Sequence, residues 1–382
     1  MLRAANPALR AARLEADAAA ARVSPAGALP DPTLQLGLDN RPVSGFGTMD
    51  PMTMNAVQLT QTLPWPGKLS FAQARAQDLA AASRLDADEV EAGLTARFEG
   101  LYFQLASMDR ALAVMGQTRE LLRGFHQVAS AMYGVGTGLQ QDVLQAQVAV
   151  ARMTADITVM TQDRIAMAAR LNALLGQDAT APVAALEVPQ DADSLPGVDS
   201  LMALATARRP ALAAGRQRVA AAQAGYRKAR RGLFPDLMVG VQYGQRPRYD
   251  NMVSLMLGLS VPVFASSRQL AQRRETQAME AAEEARQLDL LNDTWASLVE
   301  LRAEAGRARA LSALYATAIL PQARAAVEAS LAAYRVGQVN FMSLVDNQMT
   351  VNRYAIEGIR LLAEYHAAAA QIDALTGAGD GR

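Results

Sequence analysis

YGVGTGLQQDVLQAQVAVAR at 133–152 and YRVGQVNFMSLVDNQMTVNR at 334–353 are two versions of one segment, 201 residues apart. Tyr, Val and Gly coincide at the start, and Gln147, Val150 and Arg152 meet Gln348, Val351 and Arg353 further on. The register continues through Leu174-Leu175-Gly176 against Leu375-Thr376-Gly377. Upstream, Asn6-Pro7-Ala8-Leu9 recurs as Arg209-Pro210-Ala211-Leu212 at an offset of 203, which also carries Pro32 onto Pro235 and Gly37 onto Gly240. Two Ala-rich helices can look alike by chance, but Pro, Gly, Tyr and Arg do not land together that way. The chain is a duplication with halves at 1–176 and 200–377. Between them, 177–200 holds three Pro, five acidic residues and no Lys or Arg, and reads as a linker.

Each half repeats one order of elements. A helix opens it, with Pro7 or Pro210 placed for a first turn. A hairpin follows, at 31–63 and at 236–263, then a very long helix, at 67–132 and at 265–333 with one Pro at 321. A Gly turn leads into the last helix, 139–175 or 339–376. About 66 residues of helix at 1.5 Å each span roughly 100 Å, too long for a globular domain and suited to coiled-coil-like packing.

The hairpins carry a period of two. Leu34, Leu36 and Leu38 alternate with Thr33, Gln35 and Gly37, while Val57 and Leu59 alternate with Gln58 and Thr60. Val253, Leu255, Leu257, Leu259, Val261 and Val263 face one way, with Ser254, Met256, Gly258 and Ser260 the other. One side of a soluble sandwich would alternate similarly. Here there are four strands in two distant hairpins, and a lone hairpin is marginal in water. Strands of about 10 residues, apolar outside and polar inside, match an outer-membrane barrel. Four strands cannot close one, so several copies must contribute. A soluble or periplasmic helical coiled-coil scaffold stands as the alternative; it explains the helices but not the hairpins.

Composition sets the outer bounds. The 382 residues hold 37 Lys+Arg and 37 Asp+Glu, so no charge excess points to nucleic acid. Without Cys there are no disulfides, thiolate metal sites or Cys nucleophiles. Only His126 and His366 are present, without a carboxylate or Ser arrangement beside them. Gly134-x-Gly136-x-Gly138 has the spacing of a dinucleotide loop, but both flanks are helical and no strand precedes it. Gly67-Lys68-Leu69-Ser70 lacks the upstream Gly of a phosphate loop. No acid–base or nucleophile constellation marks an enzyme, and no cofactor is expected. The uncharged runs 51–67, 124–141 and 251–267 are broken by Pro, Gly or amides, so none reads as a spanning helix.

The pattern resembles the TolC-like outer-membrane efflux protein family, the exit ducts of Gram-negative tripartite pumps. The resemblance covers nearly the whole chain and rests on the duplication, LPWPGKL at 63–69, VPVF at 261–264 and the YGVGT and YRVGQ turns. It implies an α+β membrane protein: a homotrimer whose four strands per protomer make a 12-stranded barrel among outer-membrane lipid, with helices projecting into the periplasm. It implies as partners a periplasmic adaptor and an inner-membrane pump of the RND type. Val135-Gly136-Thr137 and Val336-Gly337-Gln338 match the periplasmic tips that meet the adaptor. Asp142 and Tyr334 match a pair that hydrogen-bonds across the closed mouth, and Asp346 matches one position of an acidic ring. Val339 stands where some members have a gate Arg, and Ser343 where they have a second Asp. The family's usual leader is missing from MLRAANPALR, which implies a truncated chain or a start codon assigned too late.

Methionines supply one further hint. Met49, Met52 and Met54 lie in the first hairpin loop as TMDPMTM, and Met252 and Met256 lie in the second hairpin. Thioethers suit Cu(I) or Ag(I), in keeping with the family's heavy-metal branch, and the cargo reads as a heavy metal or a drug. Met also fills gaps in loops and barrel interiors.

Overall fold

The computed structural model describes residues 5–41, 43 and 50–378. The first half runs α1 (Pro7–Ala21), α2 (Val23–Gly27), β1 (Thr33–Asp39), β2 (Met54–Leu63), α3 (Lys68–Gly134) and α4 (Gln140–Leu174). The second runs α5 (Val198–Arg208), α6 (Pro210–Arg231), β3 (Asp236–Gln245), β4 (Met252–Ser260), α7 (Gln269–Leu314), α8 (Leu320–Arg335) and α9 (Phe341–Thr376). A π-helical turn, Tyr315–Ile319, separates α7 from α8.

The expectation of one helix over 265–333 is therefore corrected in two places. Helix begins at Gln269, and it is interrupted just before Pro321. Proline cannot donate to the carbonyl four residues back and its ring crowds that carbonyl, so an extra residue is bulged into the turn. At the equivalent position of the first half stands Glu120, and α3 runs through it for 67 residues without a break.

The chain forms two compact units. One comprises residues 12–87 and 211–290 and contains the sheet. Its four strands make a single antiparallel sheet in the order β1-β2-β3-β4. The two hairpins, distant in sequence, are joined along β2 and β3, from Leu63↔Leu237 to Asn55↔Gln245. Register puts side chains of one kind in rows. Leu34, Leu59, Val241 and Leu255 share one row, while Gln35, Gln58, Gln242 and Ser254 share the next. The apolar rows are bare: Leu36 is 77% exposed, Leu257 71% and Leu255 70%. The other face is lined by small and polar groups, with Ala56, Gly240 and Gly244 buried. The sheet is thus inverted relative to a soluble protein. Among the described residues, the outer edges of β1 and β4 pair with no strand.

The other unit comprises residues 1–11, 88–210 and 291–382. Its largest core cluster includes Leu122, Phe125, Ala129, Ala146, Met153, Tyr334, Phe341 and Leu344 from α3, α4, α8 and α9. Ala at 129 and 146, both essentially inaccessible, lets neighbouring helices approach closely. Segment 177–197 holds neither helix nor strand and includes a turn closed by the Ala181 amide on the Asp178 carbonyl at 3.0 Å. It is held by side chains bonding to its carbonyls: Arg164 to Val183 at 3.1 Å, Arg309 to Ala192 at 2.8 Å, Arg302 to Pro196 at 2.7 Å, and Tyr365 to Asp193. Arg164 and Tyr365 are equivalent positions of the two repeats. Arg164 is fixed in turn by Asp109, whose other oxygen accepts the Leu186 amide at 3.0 Å.

No helix among the described residues is long and apolar enough to cross a membrane.

Candidate functional site

The helix reversals at the ends of α3 and α8 are built identically. Gly136 and Gly337 have φ of +80° and +72°, in the left-handed region where a side chain is strained. At the first, the Thr137 amide donates to the Met132 carbonyl at 2.9 Å and the Gly136 amide to Tyr133 at 3.0 Å. At the second, Gln338 donates to Ala333 at 2.9 Å and Gly337 to Tyr334 at 3.0 Å. This pair of bonds closes the last carbonyls of a helix before the chain turns back. Val135 and Val336, 75% and 68% exposed, sit at the crest of each turn. Apolar side chains displayed in water at a tight turn contribute nothing to this chain's own core.

Behind the turns, α4 and α9 start two or three residues on. Asn340 caps α9 by accepting from the Ser343 amide at 2.9 Å, and the Ser343 hydroxyl donates to the same oxygen at 2.8 Å. Ser343 is thus occupied as a cap partner. Asp142 lies in the first turn of α4, where a carboxylate suits the positive end of the helix dipole.

The Tyr334 hydroxyl donates to Asp142 Oδ2 at 3.0 Å, joining residues 192 apart in sequence. The ring is buried and packs edge-on against Phe341, centroids 5.3 Å apart. Burial first, then the bond to Asp142 and its charge, push the Tyr334 phenol up to about 12. It therefore stays a donor through the whole physiological range. The equivalent pair in the repeat, Tyr133 and Ser343, lacks the carboxylate, and Tyr133 is 49% exposed.

Asp346 is not part of this bond. It is exposed on α9 and borders a groove of about 680 Å³ between the first turns of α4 and α9. Leu144, Val148 and Met342 supply that groove's apolar floor, and Arg152 lies along it with Asp346.

Of the methionines, Met49 lies outside the described residues. Met52 is exposed, whereas Met54 is taken up by packing, its sulfur 2.5 Å from where a Cβ at Gly244 would stand. Met256 and Met238 cover Gly240 and Gly258 in the same way. At Met54, Met238 and Met256, thioether side chains fill glycine gaps on the polar face. No group of three or more His, Cys, Asp or Glu side chains is placed to hold a metal among the described residues. His366 stacks on Phe103 at 4.9 Å, with its Nε2 3.0 Å from the Pro189 carbonyl, and burial pushes its imidazole down. His126 lies 3.3 Å from the Gln147 amide.

Two features, one buried and one half-buried, escape sequence reasoning. Thr118 donates to Asn352 Oδ1 at 3.0 Å, and Asn347 donates to Ser330 at 2.6 Å. Polar residues on the buried face of an otherwise apolar helix are the signal that could have found them.

Comparison with known proteins agrees with this architecture. The family model described as outer membrane efflux protein matches the chain twice, over residues 1–177 and 201–378. The pyoverdine export outer membrane protein OpmQ of Pseudomonas putida is 27% identical over 97% of this chain and 83% of its own length. Among solved structures, the outer-membrane channel OprN superposes with a TM-score of 0.82 at 19% identity, covering 98% of this chain and 88% of OprN. The outer membrane protein VceC of Vibrio cholerae gives 0.84 at 15% identity, covering 98% and 94%. Twice-repeated helices, an inside-out sheet and a family match over nearly every residue have one reading. The chain belongs to the outer membrane efflux protein family, the non-enzymatic outer-membrane ducts of Gram-negative tripartite efflux systems, which work with an adaptor and a pump.

Proposed function

We propose that three copies of this chain close a 12-stranded barrel in the outer membrane and passively conduct cargo delivered by an RND-type inner-membrane pump through a periplasmic adaptor. In this reading the repeats, 1–176 and 200–377, each give one hairpin to the barrel and one helical pair to the periplasmic tunnel, with 177–200 strapping them. The observation that carries it is the inverted sheet with two open edges. An apolar face suits hydrocarbon, but unpaired strand edges there cost several kcal/mol per group, so other chains must cover them. β1 and β4 run in opposite directions, so β4 of one copy and β1 of the next continue the antiparallel alternation. Two copies would make eight strands, whose interior side chains fill. Three is the smallest number that leaves a duct. Native mass spectrometry in detergent is expected to show one species at three times 40.7 kDa. A stable monomer that keeps its β signal overturns the assembly.

The turns at Val135-Gly136-Thr137 and Val336-Gly337-Gln338 dock the adaptor, offering it the apolar crest described above. A Cβ at Gly136 or Gly337 would meet nothing within 4 Å, so substitution there acts through backbone strain alone, about 1–3 kcal/mol. Gly136→Val with Gly337→Val is expected to leave the trimer intact while transport through the reconstituted three-part assembly falls at least severalfold. Gly134→Val is the control, having the same open space without a positive φ. Unaltered transport in the double variant removes docking from these turns.

At the mouth, the Tyr334–Asp142 bond holds neighbouring helix pairs closed, and Asp346, repeated in each copy, draws cations to the aperture. Cargo choice belongs to the pump; the duct's own selectivity is this charge.

A further inference from the structure

We infer that the end of the sheet where the helices begin is a binding belt for anionic phospholipid headgroups, built from the last turns of α6 and the start of α7. The inference rests on the barrel reading above, which puts that end at the inner surface of the outer membrane.

Three observations meet there. The first is a cluster of exposed cations: Arg227, Lys228, Arg230 and Arg231 close α6, and Arg268 and Arg274 flank the start of α7. None of the six makes an ion pair with an acidic side chain among the described residues. Asp236, the carboxylate that opens β3, is already held by Lys68 at 2.7 Å. A helix C-terminus favours cations, which would by itself explain the four in α6. It cannot explain Arg268, which sits against the positive end of α7.

The second is an aromatic and aliphatic collar at the same level. Trp65 and Phe234 stack with centroids 5.2 Å apart and planes 10° from parallel, and the Arg231 guanidinium lies 5.9 Å over the Phe234 ring. Val263 and Phe264 are 78% and 75% exposed where β4 leaves the sheet. Amphipathic rings beside Arg and Lys, directly under an apolar band, are the chemistry of a membrane–water interface.

The third is asymmetry. At the opposite end of the sheet, Asp39, Asp50 and Asp250 are interspersed with Arg41, Arg246 and Arg248, and Arg246 is tied to the Asp250 carbonyl at 2.6 Å. Among the described residues, the helix end carries the positive excess, these six cations against exposed Asp31 and Glu275, continuous with the bare apolar rows. A phosphodiester carrying acyl chains satisfies both halves of that surface at once. Free phosphate satisfies one.

Trp65 reports on the site directly. The chain has two tryptophans, so Trp295→Phe leaves Trp65 as the single emitter. The full trimer is reconstituted in vesicles, and Trp65 quenching is compared between phosphatidylglycerol and phosphatidylcholine with brominated acyl chains. Each Lys or Arg near an anionic surface is worth roughly fivefold in affinity. Phosphatidylglycerol is expected to be favoured at Trp65 on the order of 10-fold. Arg227→Gln/Lys228→Gln/Arg230→Gln brings that ratio close to one, whereas Arg227→Lys/Lys228→Arg/Arg230→Lys keeps it, as does Arg246→Gln/Arg248→Gln at the far end. Equal quenching by both lipids in the wild type overturns the belt and leaves the barrel standing. Displacement of phosphatidylglycerol by inorganic phosphate at matched ionic strength also overturns it, in favour of a simple ion site. No quenching by either lipid places the sheet end outside the bilayer and overturns both readings.

Discussion

Leu255→Arg is expected to abolish assembly in the outer membrane, while Ser254→Arg, one residue away, is expected to assemble. Leu255 is 70% exposed and shares its row with Leu34, Leu59 and Val241, the middle of the bare face. An Arg on the lipid side of a barrel costs about 2–4 kcal/mol at the bilayer midplane. In the proposed trimer, threefold repetition raises that to roughly 6–12 kcal/mol, comparable with the whole stability of a domain. Ser254 points the other way, into the row of Gln35, Gln58 and Gln242, where water solvates a guanidinium. There Arg is expected to shift single-channel selectivity toward anions without loss of the heat-modifiable trimer. The two substitutions have equal chemistry and neighbouring positions, so only the face differs. Equal assembly of both variants would falsify the lipid-facing assignment. A soluble scaffold would behave in the opposite sense, since Leu255→Arg would then improve its solubility.

The same alternation shows why much of this fold is legible in one sequence. A period of two writes the two faces of each strand directly, and the bare rows at Leu36, Leu255 and Leu257 fall where it puts them. Gly136 and Gly337 are readable because the left-handed turn has a residue preference. What the sequence hides is pairing between distant segments. Leu63 and Leu237 are 174 residues apart, and nothing in either strand names the other, so the union of two hairpins into one sheet came from the structure. The strap at 177–197 is hidden for a different reason. Its composition marks a linker, but its path is set by Arg164, Arg302, Arg309 and Tyr365 donating to backbone carbonyls, and a carbonyl carries no residue identity. Pro321 is a third case. One Pro in a long helix is often absorbed by a kink; here it is answered by a π turn whose Tyr315 packs 5.7 Å from Tyr354. The candidate site divides along the same line. Resemblance nominated Asp142 and Tyr334, and the 3.0 Å bond between them is geometry that neither composition nor spacing contains.

That bond leads to the second large expected effect. A neutral donor to a charged acceptor contributes about 1.5–3 kcal/mol, against about 0.5–1.5 for a neutral pair. Even at ~1 kcal/mol each, three copies in the proposed trimer would shift its open–closed equilibrium on the order of 100-fold. Asp142→Ala with Tyr334→Phe is therefore expected to raise single-channel conductance in planar bilayers and to let large antibiotics leak inward. Asp346→Asn, outside the bond, is expected to lower cation selectivity and block by multivalent cations without opening the mouth. The pH dependence gives an independent arm. The Tyr334 phenol is raised to about 12 from the usual 10, so this folded arrangement, the closed mouth of the proposed reading, holds its proton more tightly than an unfolded or opened one. The stabilisation is then fully present below pH 10 and is lost as pH rises through 12, where phenolate and carboxylate repel. Wild-type conductance is expected to be flat from pH 7 to 10 and to climb above it, converging on that of the double variant. Tyr334→Phe has no such proton, so its profile is expected to stay level across that window. A wild-type channel whose conductance is indifferent both to the double substitution and to this pH window does not use these residues as its gate.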